Sequence, residues 1–297
     1  MARNQTILVT GVNGQVGFEL SRSLQGLGRV VAVDRSVLDL SDLTQVREVV
    51  RNLKPAIIVN PAAYTAVDKA ESDVDAAMRI NAEAPGVLAQ EAVRCGAVLI
   101  HYSTDYVFDG TKLDAYVEDD LTNPRNVYGR SKLAGEQAIA AAGCVHLILR
   151  TSWVYSRRGR NFLLTMLKLG AERPELRVVA DQFGAPTWSK SIAAATAHIV
   201  AQGTAAQLAS DADWWRARTG IYNFTAGGST SWHGFAAAIL RNAMGDKAPA
   251  VLPIPASDYP VPAKRPANSR LSGDKLARTF GLALPAWDEA LQLCLED

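Results

Sequence analysis

The chain lacks any apolar run near the ~18 residues that a transmembrane helix requires. Its opening residues, Met1-Ala2-Arg3-Asn4-Gln5, pass into a strand pattern with no signal-peptide core or cleavage site. A cytoplasmic protein without a membrane partner is therefore expected. Cysteine is scarce: Cys95, Cys144 and Cys294 are the only 3 among 297 residues, far apart and without CxxC or Cys/His ligand spacing. That excludes a disulfide framework and a structural zinc site, and the three thiols read as buried packing groups. The 4 histidines, His101, His146, His198 and His233, are not paired at ligand spacing either, which speaks against imidazole-based metal chemistry. An excess of one charge is also missing, since 31 Lys and Arg face 30 Asp and Glu for a formal net charge of +1. Nucleic acid and anionic membranes thus exert no bulk attraction, and any polyanion must be met by a local cluster. No internal repeat or low-complexity tract is present.

What is present is a 48% hydrophobic chain, long enough for about two domains or one large one. The first half alternates short β-branched runs with amphipathic, helix-length segments, the pattern of βαβ units and a parallel sheet buried on both faces. Strands are predicted over Thr6 to Thr10, Arg29 to Asp34, Pro55 to Asn60, Val98 to Tyr102 and His146 to Arg150. Helices are predicted over Gln15 to Leu24, Leu43 to Leu53 behind a Ser41/Asp42 cap, Ala82 to Arg94 and Tyr128 to Ala142. This is an α/β, Rossmann-like doubly wound parallel sheet, whose ligands gather beyond the carboxyl ends of the strands. After about Arg150 the alternation loosens, implying a smaller C-terminal α/β substrate domain. The expected division is 1–152 for the dinucleotide and 153–297 mainly for the substrate, with a possible return of the chain to the first domain. Residues 203–220, with Trp214 and Trp215, read as a surface excursion in which the tryptophans do plain packing, ahead of a strand at Ile221 to Phe224. The proline-dense stretch from Pro249 through Pro253, Pro255, Pro260 and Pro262 to Pro266 reads as an ordered loop or flexible lid.

The first strand runs into Thr10-Gly11-Val12-Asn13-Gly14-Gln15-Val16-Gly17. Glycines at 11, 14 and 17 permit a tight turn, bring bare backbone N–H groups to a pyrophosphate and let the next helix pack closely on the sheet. The second strand ends at Asp34, where this fold places an acid that accepts from a ribose 2′-OH; Arg35 beside it suits a 2′-phosphate instead. Use of both NADPH and NADH, within about tenfold of each other, is the expectation. In Tyr128-Gly129-Arg130-Ser131-Lys132 a phenol and an ammonium stand at i and i+4, on one helix face. The fourth strand runs out into His101-Tyr102-Ser103-Thr104-Asp105-Tyr106, which delivers a hydroxyl at its carboxyl end.

In that order, the glycine turn, strand-end hydroxyl and YxxxK resemble the extended short-chain dehydrogenase/reductase superfamily. Within it, the chain resembles the dTDP-4-dehydrorhamnose reductase family over nearly its whole length. The resemblance is carried by GVNGQVGFEL (11–20), NPAAYTAVDKAE (60–71), HYSTDYVFDG (101–110), NVYGRSKLAGE (126–136), RTSWVY (150–155), DQFGAPT (181–187) and RPANSRL (265–271). It implies reduction of the C4 ketone of dTDP-4-dehydro-β-L-rhamnose by NADPH or NADH, the last step of dTDP-L-rhamnose synthesis. It also implies Tyr128 as proton donor, Lys132 as its electrostatic partner and nicotinamide-ribose ligand, and Thr104 as the hydroxyl that polarises the ketone. Gly11, Asn13, Gly14, Gln15, Val16 and Gly17 would hold the pyrophosphate; Asp34, Arg35, Asp39 and Leu40 the adenosine half; Ala62, Ala63, Tyr64 and Thr65 the cofactor beyond the third strand. Thr104, Asp105, Tyr128 and Trp153 would touch the sugar. For the substrate's diphosphate, the local cationic cluster with Arg265 and Arg270 is the candidate, because arginine offers fork-shaped donors to phosphate oxygens.

Some relatives are dimers bridged by a magnesium ion held by glutamates. Here Glu19 stands at one such position, but Lys190 at a second acidic one. Lysine cannot ligate Mg²⁺, so no metal is expected, Glu19 reads as a solvated helix residue, and a monomer or weak homodimer is anticipated. Two other functions compete. A nucleotide-sugar epimerase or dehydratase would need an Asp-Glu pair after the hydroxyl, where Asp105-Tyr106 stands. A regulatory subunit, as known for a relative acting on methionine adenosyltransferase, would have no use for an intact Thr104, Tyr128 and Lys132.

Overall fold

The structure, a computed structural model, describes residues 5–297. Met1 to Asn4, on which part of the signal-peptide reading rests, lie outside the described residues. In chain order the first half comprises β1 (Thr6–Val9), α1 (Gln15–Ser23), β2 (Arg29–Ala32), α2 (Leu43–Leu53), β3 (Ile57–Asn60), α3 (Val67–Ala70), α4 (Val74–Met78), α5 (Ala84–Cys95), β4 (Val98–Thr104), α6 (Val127–Ala142) and β5 (His146–Thr151). There follow β6 (Val154–Tyr155), α7 (Phe162–Glu172), β7 (Glu175–Val179), β8 (Phe183–Gly184), β9 (Thr187–Trp188), α8 (Ser189–Leu208), β10 (Gly220–Asn223), β11 (Thr230–Ser231), α9 (Trp232–Met244), β12 (Ala250–Ile254), α10 (Asp274–Phe280) and α11 (Trp287–Glu296).

Six strands form a parallel sheet in the order β10-β5-β4-β3-β1-β2. Because β2 and β3 flank β1 on opposite sides, the topology reverses at β1, and the crevice there opens beyond the carboxyl ends of β1 and β3. Ile7, Leu8, Val9, Ile58 and Val59 are all fully buried, as expected of strands covered on both faces. One face packs Leu20 and Leu24 from the α1 segment against Ile192 and Ile199 of α8. The other packs Val46 and Val50 of α2, Leu88 of α5 and Ile139 of α6. A second, smaller α/β cluster joins α7, α9, α11 and the parallel pair β7/β12 around Leu163, Leu176, Phe235 and Leu291.

Several sequence expectations change at their edges. Strand β4 continues to Thr104 and β5 to Thr151, because each of these last residues pairs with the other in register. The helix expected from Ala82 starts at Ala84, behind a π-helical turn at Arg79–Glu83 in which buried Asn81 exchanges hydrogen bonds with the Tyr64 backbone. The proline-dense stretch is not wholly loop: Ala250–Ile254, with Pro253 inside it, is a strand. Proline is tolerated because β12 has one neighbour only and keeps an edge without ladder partners. Helix α8 consumes the first part of the supposed surface excursion, and Trp214 and Trp215 enter the main core, where Trp214 lies 5.9 Å from the Phe280 ring. They pack, as read. Of the cysteines, Cys144 and Cys294 are buried while Cys95 is only half-buried, its thiol turned to the Pro55 and Ala92 carbonyls.

Candidate active site

Two cavities adjoin the carboxyl ends of the strands and the smaller cluster. The first, about 580 Å³, lies over the β1–α1 turn. Close approach here depends on Gly17: a Cβ at that position would stand 2.3 Å from the Gly11 carbonyl oxygen, so any side chain would push α1 off the turn. Gly14 occupies the N-cap of α1 without a side-chain cap, and no acid sits in the first turn. The helix start therefore presents backbone N–H groups and the positive end of its dipole to the cavity. Gly11, Asn13, Gly14, Gln15, Val16, Gly17, Arg35, Asp39, Leu40, Ala62, Ala63, Thr65, Tyr128 and Lys132 all line it. The buried hydroxyls of Ser103 and Thr151 also line it and have no hydrogen-bond partner. A cradle that a Cβ would fill and orphaned polar groups along the wall fit a dinucleotide.

Asp34 and Tyr64 do not line this cavity. The Asp34 carboxylate accepts from the Ser36 backbone N–H and hydroxyl and from Asn13 Nδ2 at 2.9, 2.6 and 3.2 Å, and these bonds hold its pKa below the usual carboxylate range. Tyr64 instead donates to Asp73 Oδ2 at 2.9 Å. Arg35 meets Asp39 at 2.9 Å with its side chain 78% exposed. Sequence reasoning missed Arg160, which lines the cavity from beyond β6. The signal was the basic run Arg157-Arg158-Gly159-Arg160, one residue past RTSWVY.

At the end of β4, Asn126 caps α6 by accepting from Gly129 N–H at 2.7 Å. Gly129 lets the helix settle on the strand end: a Cβ there would lie 2.2 Å from the Tyr106 carbonyl oxygen. This close seating brings the Tyr128 ring edge-on to Tyr106, 5.7 Å between centroids, while the Thr104 hydroxyl at the strand end donates to Asp105 Oδ1 at 3.0 Å and accepts from the Tyr106 N–H at 3.2 Å. Burial and the charge of Asp105 push the Tyr128 phenol up to about 12. Asp105 is itself pushed up to about 7 by burial, against the hydrogen bond it accepts from Thr104 at 3.0 Å. Lys132, buried on α6, is not aimed at Tyr128. Its Nζ donates to the Tyr102 carbonyl at 2.6 Å and lies 3.1 Å from His101 Nε2; burial brings it down to about 8, with Glu136 opposing.

Trp153 stands just past β5 at φ 47°, a left-handed conformation that costs a non-glycine residue on the order of 1–3 kcal/mol. Its indole stacks on Trp232, centroids 3.5 Å apart and 7° from parallel. Trp232 in turn lines the second cavity, about 750 Å³, together with Phe162, Tyr259, Arg173, Arg177 and Arg265. Each of two arginines there has an acid beside it: Arg265 with Asp68 at 3.0 Å and Arg177 with Asp258 at 3.8 Å. Arg265 Nε is buried with no partner. Arg270 lines neither cavity, because its guanidinium is committed to Asn268 Oδ1 at 2.8 Å and to the Leu113 carbonyl.

The family profile described as RmlD substrate binding domain matches residues 5–297. A dTDP-4-dehydrorhamnose reductase of Burkholderia thailandensis is 52% identical, covering 98% of each chain. One of Salmonella typhimurium is 44% identical, covering 98% of this chain and 97% of its own. The chain belongs to the dTDP-4-dehydrorhamnose reductase family. Among solved structures, the family's Bacillus anthracis member, in complex with NADP, superposes with a TM-score of 0.90 at 34% identity, covering 99% of both chains. A UDP-glucose 4-epimerase of Thermus thermophilus, at 21% identity and a TM-score of 0.79, shares the fold. Glu19 stands near Lys190 and Asp297, the pKa of its carboxyl raised by burial, and Lys190 is ion-paired to Asp297. Among the described residues, no cluster of three or more His, Cys, Asp or Glu could hold a metal, and no helix is long and apolar enough to cross a membrane.

Proposed function

We propose that this protein reduces the C4 ketone of dTDP-4-dehydro-β-L-rhamnose to the alcohol with NADPH or NADH, completing dTDP-L-rhamnose synthesis in the cytoplasm as a monomer or weak homodimer. The observation that carries the reading is the hydroxyl pair Thr104 and Tyr128, set at the end of β4 beside a dinucleotide-shaped cavity. The family relatives are named for this reaction. Residues 1–152 serve mainly the cofactor and 153–297 mainly the substrate, with β10 returning to the large sheet. When bound, the reduced nicotinamide supplies the hydride that reaches the ketone carbon. Tyr128, kept protonated at neutral pH by its raised pKa, gives its proton to the carbonyl oxygen, so no free alkoxide has to exist. Thr104 polarises the ketone, and Lys132 supplies positive charge on the same helix face to stabilise the tyrosinate left behind. Asp105 and Trp153 border the sugar.

Turnover of enzymatically made dTDP-4-dehydrorhamnose with NADPH and with NADH tests the reading; no consumption of either cofactor overturns it. An epimerase or dehydratase would convert its sugar without net cofactor consumption, and a regulatory subunit would convert none.

Cofactor choice follows from the local bonds of the second strand. Asp34 spends its acceptor capacity on Ser36 and Asn13, whereas Arg35 lines the cavity. The variant Arg35→Ala is expected to lose about fivefold in affinity for NADPH, an exposed charge contact near 1 kcal/mol, with NADH unchanged. Equal losses for the two would make Arg35 a plain surface residue.

For the diphosphate, Arg265 with its orphaned Nε, Arg173 and Arg177 are the candidates, and Arg270 has a structural task. The substitution Arg265→Ala should raise KM for the dTDP-sugar by about tenfold or more, the low end of a lost charge-assisted bond, while KM for the cofactor holds. Arg270→Ala should leave both within about twofold. Steady-state kinetics in which Arg270→Ala matches or exceeds Arg265→Ala would return the diphosphate to the Arg270 side.

A further inference from the structure

A continuous buried chain of polar side chains crosses the sheet beneath the first cavity, and the proton transfer proposed above does not by itself require it. Thr10 Oγ1 lies 2.6 Å from Asn60 Oδ1, Asn60 Nδ2 lies 3.1 Å from His101 Nδ1, and His101 Nε2 lies 3.1 Å from Lys132 Nζ. All four residues are at most 2% exposed. They meet because Asn60 and His101 are register partners in β3 and β4, and Thr10 follows β1 directly, its N–H bonded to the Val59 carbonyl. One end of the chain thus adjoins Gly11 of the glycine turn and the other is the ammonium-bearing side chain beside Tyr128.

The donors and acceptors along this chain can run in only two directions. His101 is neutral, since burial and the charge of Lys132 hold it well below its ordinary pKa, and a neutral imidazole has a single N–H. With the Asn60 amide oxygen toward Thr10, Asn60 donates to His101 Nδ1, the ring proton sits on Nε2, and Lys132 must accept as an amine. With the amide turned over in the same heavy-atom positions, Asn60 Oδ1 accepts from Nδ1–H, and Nε2 accepts from Lys132 as an ammonium; the Thr10 hydroxyl rotates to serve either case. An ammonium facing Nε2–H would set donor against donor. Protonation of Lys132 therefore confines the whole chain to the second direction, whereas the neutral amine, donor and acceptor both, also admits the first.

We propose that Asn60 and His101 are positioning residues for Lys132, holding it in place through a hydrogen-bond chain that reverses direction when Lys132 gains or loses its proton. This rests on the reading that Lys132 acts beside Tyr128. Other charged groups around the pair do not replace the chain. Glu136 on the same helix favours the Lys132 ammonium but is bound to Arg150 of β5 at 2.6 Å, and Asp105 at the end of β4 acts on Tyr128. The Lys132 titration, brought by burial to about 8, falls where it can be followed.

The direct test needs no turnover. In ¹⁵N-histidine-labelled protein, the His101 ring signals, identified by their loss in His101→Phe, are followed from about pH 6 to about pH 10, a range that brackets a buried lysine shifted down from its usual value. The ring proton is expected to sit on Nδ1 at the acid end and on Nε2 at the alkaline end, and Lys132→Met should leave a single tautomer throughout. One tautomer across the range in the unaltered protein, or an unchanged switch in Lys132→Met, overturns the proposal. A kinetic arm uses Asn60→Asp, whose carboxylate only accepts and so pins the direction that suits the ammonium. The alkaline limb of kcat should move up by about one pH unit, the scale of one hydrogen bond to a charged group. A profile that merely scales down without moving also overturns it. If the unaltered protein reduces no keto sugar, the reductase reading fails while the NMR arm still decides the chain.

Discussion

Replacing Tyr128 by phenylalanine is expected to lower kcat by about 10²-fold or more, the scale on which a positioned general acid contributes, while the dissociation constant for the cofactor changes little. The ring stays, so its edge-on contact with Tyr106, centroids 5.7 Å apart, and the seating of α6 survive. What goes is the one proton whose donor stands half-buried in the first turn of α6 with its pKa raised to about 12. Thr104→Val removes the strand-end hydroxyl beside the reacting ketone and should also act on kcat rather than on cofactor affinity. Stopped-flow or steady-state turnover with cofactor binding measured separately checks both. Turnover of Tyr128→Phe within a few-fold of the unaltered enzyme would remove Tyr128 from the mechanism.

The largest expected loss of stability comes from Glu136→Leu. Glu136 and Arg150 form a two-pronged ion pair, Nε to Oε1 at 2.9 Å and Nη2 to Oε2 at 2.6 Å, with each side chain only 2% exposed. Arg150 also donates to the Glu118 carbonyl at 3.2 Å, and the Glu118 carboxylate accepts from the Asn223 backbone at 2.8 Å, tying α6, β5 and β10 together. Removing only the carboxylate leaves a guanidinium uncompensated in the interior, a cost of roughly 3–5 kcal/mol. Removing both partners in Glu136→Leu/Arg150→Met is expected to recover much of that loss, because an apolar pair of similar volume avoids the desolvation of two charges. Urea unfolding of the single and double variants measures the difference. A single variant within about 1 kcal/mol of the unaltered protein would show that water or another group already compensates Arg150.

The alternating pattern of the first half was legible in the sequence because each strand of a doubly covered parallel sheet is a short apolar run and each connecting helix has one apolar face. Ile7 to Val9 and Ile57 to Val59 are such runs, and both are buried where the pattern places them. The glycine turn was legible for a similar reason: at Gly17 the missing Cβ answers a contact with Gly11 within the same turn, so the constraint is local in the chain. The i, i+4 relation of Tyr128 and Lys132 is likewise a property of one helix. Constraints between distant segments left no such mark. That Arg265 faces the second cavity while Arg270 is tied to the 113 region, two arginines five residues apart in one basic stretch, depends on how residues 109–123 and 263–271 pack. The burial of Trp214 and Trp215, the return of β10 to the sheet and the edge position that admits Pro253 into β12 are pairings across the chain. So is the chain from Thr10 through Asn60 and His101 to Lys132. Its members come from the end of the first strand's run, two further strands and a helix; Lys132 stood out in its own segment but its link to Asn60 and His101 did not, and only the register of β1, β3 and β4 sets them within hydrogen-bonding distance.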